Sequence, residues 1–296
     1  MATLALIWGH HYDDKPFTTH HTFWEATLHD RGVQFDRFSW SDWPRMRTNY
    51  DLYIFLDWHP SLYKLGREFH PRCFYWWDSF HHPITYAAQV APLFDRAYFA
   101  ERITTDQLQH LGMPGVHWLP PAFYPGCYKP SPIDPQQVLD FSFVGQPDDT
   151  VVRKGVTRKE FFTKLLATFP NSAIEQGIYG DAVNTIYNRS RILVDRTIWS
   201  NVGTRVFETI GSGGFALVNK SLRNGLDELA IAGHHFVYYD DSLEDCIEKM
   251  KWYLKNHRAR ERIADAGYLH FCKHHTYSNR LDTILKDFGL HEDILA

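Results

Sequence analysis

Short apolar runs recur along the chain, each closed by a turn former or a charged side chain. TLALIWG (3–9), VQFDRFSW (33–40), DLYIFLDW (51–58), RCFYWWD (72–78), RAYFAE (96–101) and VHWLPPA (116–122) fill the first part. Nearly continuous apolar runs predict strands buried on both faces, as in parallel sheets. Between the first two, FWEATLHDRG (23–32) has helical spacing and a glycine stop. Strand and helix alternate over short connections, so the pattern predicts a doubly wound α/β domain. After a proline-dense stretch the pattern resumes with VLDFSFVGQP (138–147), AIEQGIYG (173–180), RILVDRTIW (191–199), FALVN (215–219) and HHFVYYDD (234–241). AIEQGIYG reads as a strand ending at Tyr179-Gly180. FFTKLLATF and the region after Ser242 carry helical spacing, with Ser242 as the cap.

The expected organisation is an N-terminal lobe over 1–122, a linker over 123–138, a C-terminal lobe over 139–278 and a helical tail over 279–296. The linker reading rests on Pro120, Pro121, Pro125, Pro130, Pro132 and Pro135, a density that neither a helix nor a central strand tolerates.

The stretch 200–219, SNVGTRVFETIGSGGFALVN, places a helix between two apolar strands and so forms a βαβ unit. The open amides at the helix start, near Gly203 and Thr204, suit an anion such as a diphosphate. Thr204 adds a hydroxyl and Arg205 a bidentate cation. Glu208 shares a helical face with Arg205, where its carboxylate suits two vicinal ribose hydroxyls. An ordinary crossover with a surface Arg–Glu pair fits the same spacing.

Composition narrows the classes. The chain has 296 residues, 44% hydrophobic and 16% aromatic, with a formal charge of -4. It builds real cores and has no basic excess for nucleic acid. Cys73, Cys127, Cys246 and Cys272 are scattered without CxxC spacing, which suits free thiols in a reducing cytoplasm. The opening apolar run is too short for a signal peptide, and no run reaches the about 20 apolar residues of a membrane span. Peripheral membrane contact stays open. The 18 histidines include five doublets, but neighbours on a strand face opposite ways and chelate poorly. Only His270 and His274 share a helical face as a metal pair would, so no metal site is expected. In open α/β sheets ligands sit beyond the carboxyl ends of strands. There His10, His11 or Asp78 is placed to orient an acceptor hydroxyl or take its proton. Asp78 as a helix N-cap is the plainer alternative. Tyr12, Trp58, Trp76 and Trp77 are core aromatics unless they line a ligand cleft, where they would stack on a sugar ring.

NVGTRVFETIGSGG, followed by NGLDEL, FVYYDD, MKWYLKNHRARERIADAG and HTYSNRLDTIL, resembles the C-terminal domain of the spore-maturation-protein-type glycosyltransferases, within the group 1 transferases of GT-B fold. The resemblance spans roughly 141–285. It implies two Rossmann-like lobes facing across a cleft, with an acceptor in the first. The second would take a nucleotide-sugar donor, UDP- or dTDP-linked, without a metal. It implies that the tail crosses back to the first lobe. It places a pair of cations in the glycine-to-helix loop after Gly145, among Arg153, Lys154, Arg158 and Lys159, with Lys154 and Arg158 as candidates. It puts the base near Tyr179 and Gly180. Large retaining families of this fold carry a glutamate eight positions before the one matching Glu208. Here that position is Ser200, with Asn201 beside it as the substitute contact for sugar or diphosphate. The resemblance implies retention of anomeric configuration, and Ser200 leaves that outcome open. A sugar-nucleotide epimerase and a non-catalytic donor-binding protein are the alternatives.

Overall fold

The computed structural model describes residues 2–8, 20–42, 45–79, 82–147, 150, 152–197, 201–221 and 224–291. Elements alternate in chain order. They begin with β1 (Thr3–Ile7), α1 (His20–Asp30), β2 (Gln34–Phe38), β3 (Leu52–Leu56), β4 (Arg72–Trp76), α2 (Ile84–Val90), β5 (Arg96–Phe99), α3 (Arg102–His110) and β6 (Val116–Trp118). They continue with β7 (Leu139–Val144), β8 (Val152–Arg153), β9 (Val156–Thr157), α4 (Arg158–Thr168), β10 (Ala173–Glu175), α5 (Asp181–Arg189), β11 (Ser190–Asp195), α6 (Thr204–Gly211) and β12 (Ala216–Asn219). The last are α7 (Leu226–Leu229), β13 (Val237–Tyr239), α8 (Leu243–Lys255), α9 (His257–His274) and α10 (Tyr277–Asp287).

The chain divides into two compact units, one of Met1–Pro121 with Tyr277–Ala296 and one of Ala122–Thr276. Unit 1 holds a parallel sheet in the order β2-β1-β3-β4-β5-β6. Every residue of β3 and β4 is buried, because helices cover both faces of a parallel sheet. β2, with Asp36 and Arg37 in its middle, is the exposed edge. The core gathers Tyr53, Phe55, Phe74, Trp76, Phe94 and Phe99.

Unit 2 holds a parallel sheet in the order β10-β7-β11-β12-β13. Phe141, Phe143, Phe161, Phe162, Leu217 and Met250 are among its core residues. The proline-rich run packs along α5 of this unit. The Lys129 amide donates to Asn184 Oδ1 (3.1 Å) and the Ser131 amide to Asn188 Oδ1 (2.7 Å). Phe123 is fully buried, and a Cβ on Gly211 would lie 2.3 Å from its ring. Glycine at the end of α6 is therefore required by close approach.

Two expectations change. The basic loop after Gly145 contains a β8-β9 hairpin whose turn residues, Lys154 and Gly155, have φ of 49° and 78°, the positive values that two-residue hairpin turns demand. A capping box between Thr157 and Glu160 then starts α4 at Arg158. β10 stops at Glu175, so Tyr179 and Gly180 lie beyond the strand, where Gly180 is the N-cap of α5.

α10 packs on unit 1. Arg31 donates to Ser278 Oγ (2.7 Å) and Asp282 (2.9 Å), and Tyr98 donates to Asp287 (2.7 Å). The buried Arg280 guanidinium donates to the Pro120 and Pro121 carbonyls at 2.7 and 2.8 Å, and burial lowers its pKa to about 10. Arg280→Met should strand two carbonyls and cost about 2–4 kcal/mol. The check is a fall in Tm; a Tm within about 1 °C of wild type would contradict it.

Candidate functional site

In a doubly wound sheet the ligand crevice opens where the strand order reverses. In unit 2 that point lies between β7 and β11, which flank each other although α4, β10 and α5 separate them in sequence. The chain reaches it at Val144-Gly145 on one side and Asp195 on the other. Arg205, in the first turn of α6, spans the two. Its Nε donates to the Val144 carbonyl at 2.6 Å and its Nη1 to Asp195 Oδ1 at 2.5 Å. The guanidinium lies 4.5 Å from the Phe143 ring centroid. Gly145 has φ 151°, and a Cβ there would sit 2.5 Å from Arg205 Nη2. Glycine is needed at 145 on both counts. Desolvation works against the charge of Arg205, but Asp195 beside it holds the pKa above the ordinary value. The expectation of a freely bidentate cation is therefore corrected: two of its three nitrogens are already committed, and Nη2 over Gly145 remains.

Glu208 lies one turn further along α6, half-buried. Tyr128 Oη donates to its carboxylate. Desolvation raises the Glu208 pKa to about 7, against the opposing effects of Tyr128 and Arg205. Gly203 caps α6 in extended conformation, with no atom of the described residues within 4 Å of the position a Cβ would take. The space beside the helix start is open, and the Thr204 and Arg205 amides have no intrahelical acceptor there. Asn201 accepts from Thr197 Oγ1 at 3.1 Å.

A second network stiffens the neighbouring strand ends. Arg196, 1% exposed, donates to the Asp241 carbonyl (2.9 Å), Asp241 Oδ1 (3.0 Å) and the Arg153 carbonyl (2.9 Å). Arg153 Nε donates to Asp241 Oδ2 at 2.7 Å. Asn219, fully buried at the end of β12, donates to Asp241 at 3.3 Å and accepts from the Thr197 amide at 2.8 Å. Arg158 opens α4 and turns inward, donating to the Arg196 carbonyl (2.9 Å) and the Gln146 carbonyl (3.1 Å). Lys154 is exposed on its hairpin and acts on Asp240. Tyr179 is 48% exposed. Four guanidiniums, on Arg153, Arg158, Arg196 and Arg205, thus gather at these strand ends against the carboxylates of Asp195 and Asp241. Sequence reasoning missed Asp195, Asp241, Arg196 and Tyr128. A charged pair closing an apolar strand, as in RILVDRT, was the available signal for the first and third.

In unit 1, Asp78 lies just past β4 and is exposed. Desolvation, and then the Asp57 carboxylate, raise its pKa to about 7, while a hydrogen bond from Trp77 works the other way. Asp57 follows β3 with φ 71° and faces His21 Nε2 at 3.6 Å. His21 stacks on Trp8 with centroids 4.6 Å apart. His10, His11, Tyr12 and Ser200 lie outside the described residues. The His270 ring stacks on His235 at 4.2 Å and lies 5.0 Å from that of His274. Among the described residues no group of three or more His, Cys, Asp or Glu side chains is placed to hold a metal ion. No described helix is long and apolar enough to cross a membrane.

Residues 136–286 match the family model described as glycosyl transferase-like. The chain belongs to this family. A search of curated proteins finds no match. Among solved structures, sucrose-phosphate synthase from Thermosynechococcus elongatus aligns with TM-score 0.72 at 8% identity, over 99% of this chain and 100% of that one. HepE from Anabaena, in complex with UDP and glucose, aligns with TM-score 0.70 at 9% identity, over 98% and 99%. An α-glucosyltransferase in complex with UDP and DNA aligns with TM-score 0.64 at 9% identity, over 97% and 99%. At such identities the likeness shows the fold, which is that of GT-B glycosyltransferases: two Rossmann-like α/β units.

The raised Glu208 pKa has a stability consequence. A carboxyl held above its ordinary 4.5 resists ionisation in the folded state, so its penalty is absent below pH 4.5, grows between 4.5 and 7, and is full above 7. Glu208→Gln should raise Tm relative to wild type increasingly across that window, by at least about 2 °C. Parallel Tm–pH curves would contradict the assignment.

Proposed function

We propose that this family member is a glycosyltransferase of the spore-maturation type. It moves a sugar from a UDP- or dTDP-linked donor in unit 2 to an acceptor hydroxyl at unit 1. The observation that carries the reading is the placement of Glu208 and Arg205 on one face of α6, at the point where the strand order reverses. Glu208 accepts from the two ribose hydroxyls. The Thr204 and Arg205 amides, the Thr204 hydroxyl, Asn201 and Arg205 Nη2 receive the diphosphate. The base lies toward Gly145, Tyr179 and Gly180.

In the reaction the anomeric carbon–oxygen bond to the diphosphate breaks and a bond to the acceptor oxygen forms. Negative charge grows on the leaving diphosphate, and preorganised donors lower the barrier by meeting it. The four guanidiniums at the strand ends supply a positive field without a metal ion, and Lys154 adds to it from the hairpin. Arg158 acts through the loop it holds, since its guanidinium is bound to carbonyls. In unit 1, Asp78 engages the acceptor hydroxyl, with a pKa near neutrality suited to receiving a proton. Anomeric configuration separates its two uses. An inverted product makes Asp78 the base. A retained one makes it an orienting group, and the acceptor proton leaves on the diphosphate.

UDP-glucose and dTDP-glucose should raise the Tm of the wild-type chain. Glu208→Ala should weaken the better donor about 10–100-fold, the loss of charge-assisted ribose bonds, measured by titration calorimetry. Equal affinity in Glu208→Ala would overturn the assignment. Arg205→Ala is the poorer probe, because it leaves Asp195 buried and unpaired.

A further inference from the structure

Beyond β3 and β4 of unit 1 lies a row of aromatic rings. Trp58, two residues past β3, stacks on Trp76, the last residue of β4, with centroids 6.5 Å apart and planes at 21°. His82 packs against both, at 5.3 and 5.2 Å. Tyr86 on α2 continues the row, 5.8 Å from Trp58 and 5.8 Å from His82. Trp76 is buried, Trp58 and His82 are half-buried, and Tyr86 is 39% exposed, so the row rises from the core to the surface. The indole Nε1–H of Trp58 is buried with no acceptor among the described residues. Asp57 precedes Trp58 in sequence, and Asp78 stands two residues past Trp76, near enough to feel the Asp57 charge.

We infer that this shelf seats a pyranose ring of a neutral glycan, the acceptor of the transfer reaction. A pyranose offers a flat C–H face and a rim of hydroxyls. The shelf offers the electron-rich faces of aromatic rings, and Asp78, exposed two residues past Trp76, can accept a hydrogen bond from the hydroxyl rim. Charge selects the neutral class. Unit 1 carries 17 Asp and Glu against 12 Lys and Arg, a formal -5, whereas unit 2 carries 18 against 19, a formal +1. A nucleic acid or a phosphate polymer would bring its charges against a net negative unit. The assignment of this ring as acceptor rests on the transferase reading; the binding itself does not.

The test is saturation-transfer NMR on the full chain with maltohexaose, cellohexaose, mannohexaose and N-acetylchitohexaose, against oligodeoxythymidine as polyanion. At least one neutral glycan should bind saturably. Tyr86→Ala should weaken it about tenfold, and Tyr86→Phe, which keeps the ring, should restore it. No binding by any of the four glycans, displacement of a bound glycan by oligodeoxythymidine, or equal binding in Tyr86→Ala overturns the proposal. A Tm shift with either UDP-glucose or dTDP-glucose, read in the same samples, reports unit 2 alone. Its absence beside glycan binding sinks the donor reading and keeps the shelf; its presence without glycan binding sinks the shelf alone.

Discussion

The arrangement of unit 2 depends on one ion pair. Arg205 is bound at once to Asp195 on β11 and to the Val144 carbonyl on β7, the two strands that neighbour each other where the strand order reverses. A half-buried guanidinium needs such partners, because desolvation otherwise costs more than attraction returns. Its position sets the rest. It pins the first turn of α6 to the sheet and requires glycine at 145. Glu208, one turn on, is thereby carried into a half-buried place beside Tyr128.

The same logic spreads through the adjoining strand ends. Asp241 anchors Arg153, Arg196 and Asn219, and Arg158 holds the two loops that leave β7 and β11. Each arginine is held by carbonyls or carboxylates, yet its charge persists. On the proposed reading, the site attracts an anion by net field and by open amides rather than by long flexible cations. Unit 1 shows the opposite electrostatics at its own strand ends, where burial raises the pKa of Asp78 and of the buried Glu101 and the Asp57 carboxylate adds to both shifts. On the proposed reading, positive field in one unit and negative in the other divide the labour between a charged donor and an uncharged acceptor.

Much of the fold was legible because parallel strands covered on both faces must be apolar throughout. LYIFL, CFYW, FSFV and ILV announce themselves for that reason. A helix after Gly203, with Arg205 and Glu208 on one face, followed from spacing. What spacing does not carry is partner choice across the sheet. Nothing local to Arg205 says that Asp195 neutralises it, nor that a tyrosine from a proline-rich run, Tyr128, meets Glu208. The β8-β9 hairpin and the capping box in VTRKE went unread, since the basic residues around them drew attention to charge rather than to turn and cap chemistry. Arg158, one of the candidate diphosphate cations, instead directs its guanidinium to two backbone carbonyls.

The central claim is that Glu208, poised near pH 7, is the group that grips the donor ribose. Titration calorimetry with UDP-glucose at about pH 6.5, in two buffers of different ionisation enthalpy, tests it directly. UDP-glucose is suited because its diphosphate diester does not titrate near that pH. Two ribose hydroxyls donating to the carboxylate favour its charged form, so binding should release a fraction of a proton per site, and Glu208→Gln should abolish that release. Equal binding enthalpies in the two buffers for the wild-type chain would contradict the account.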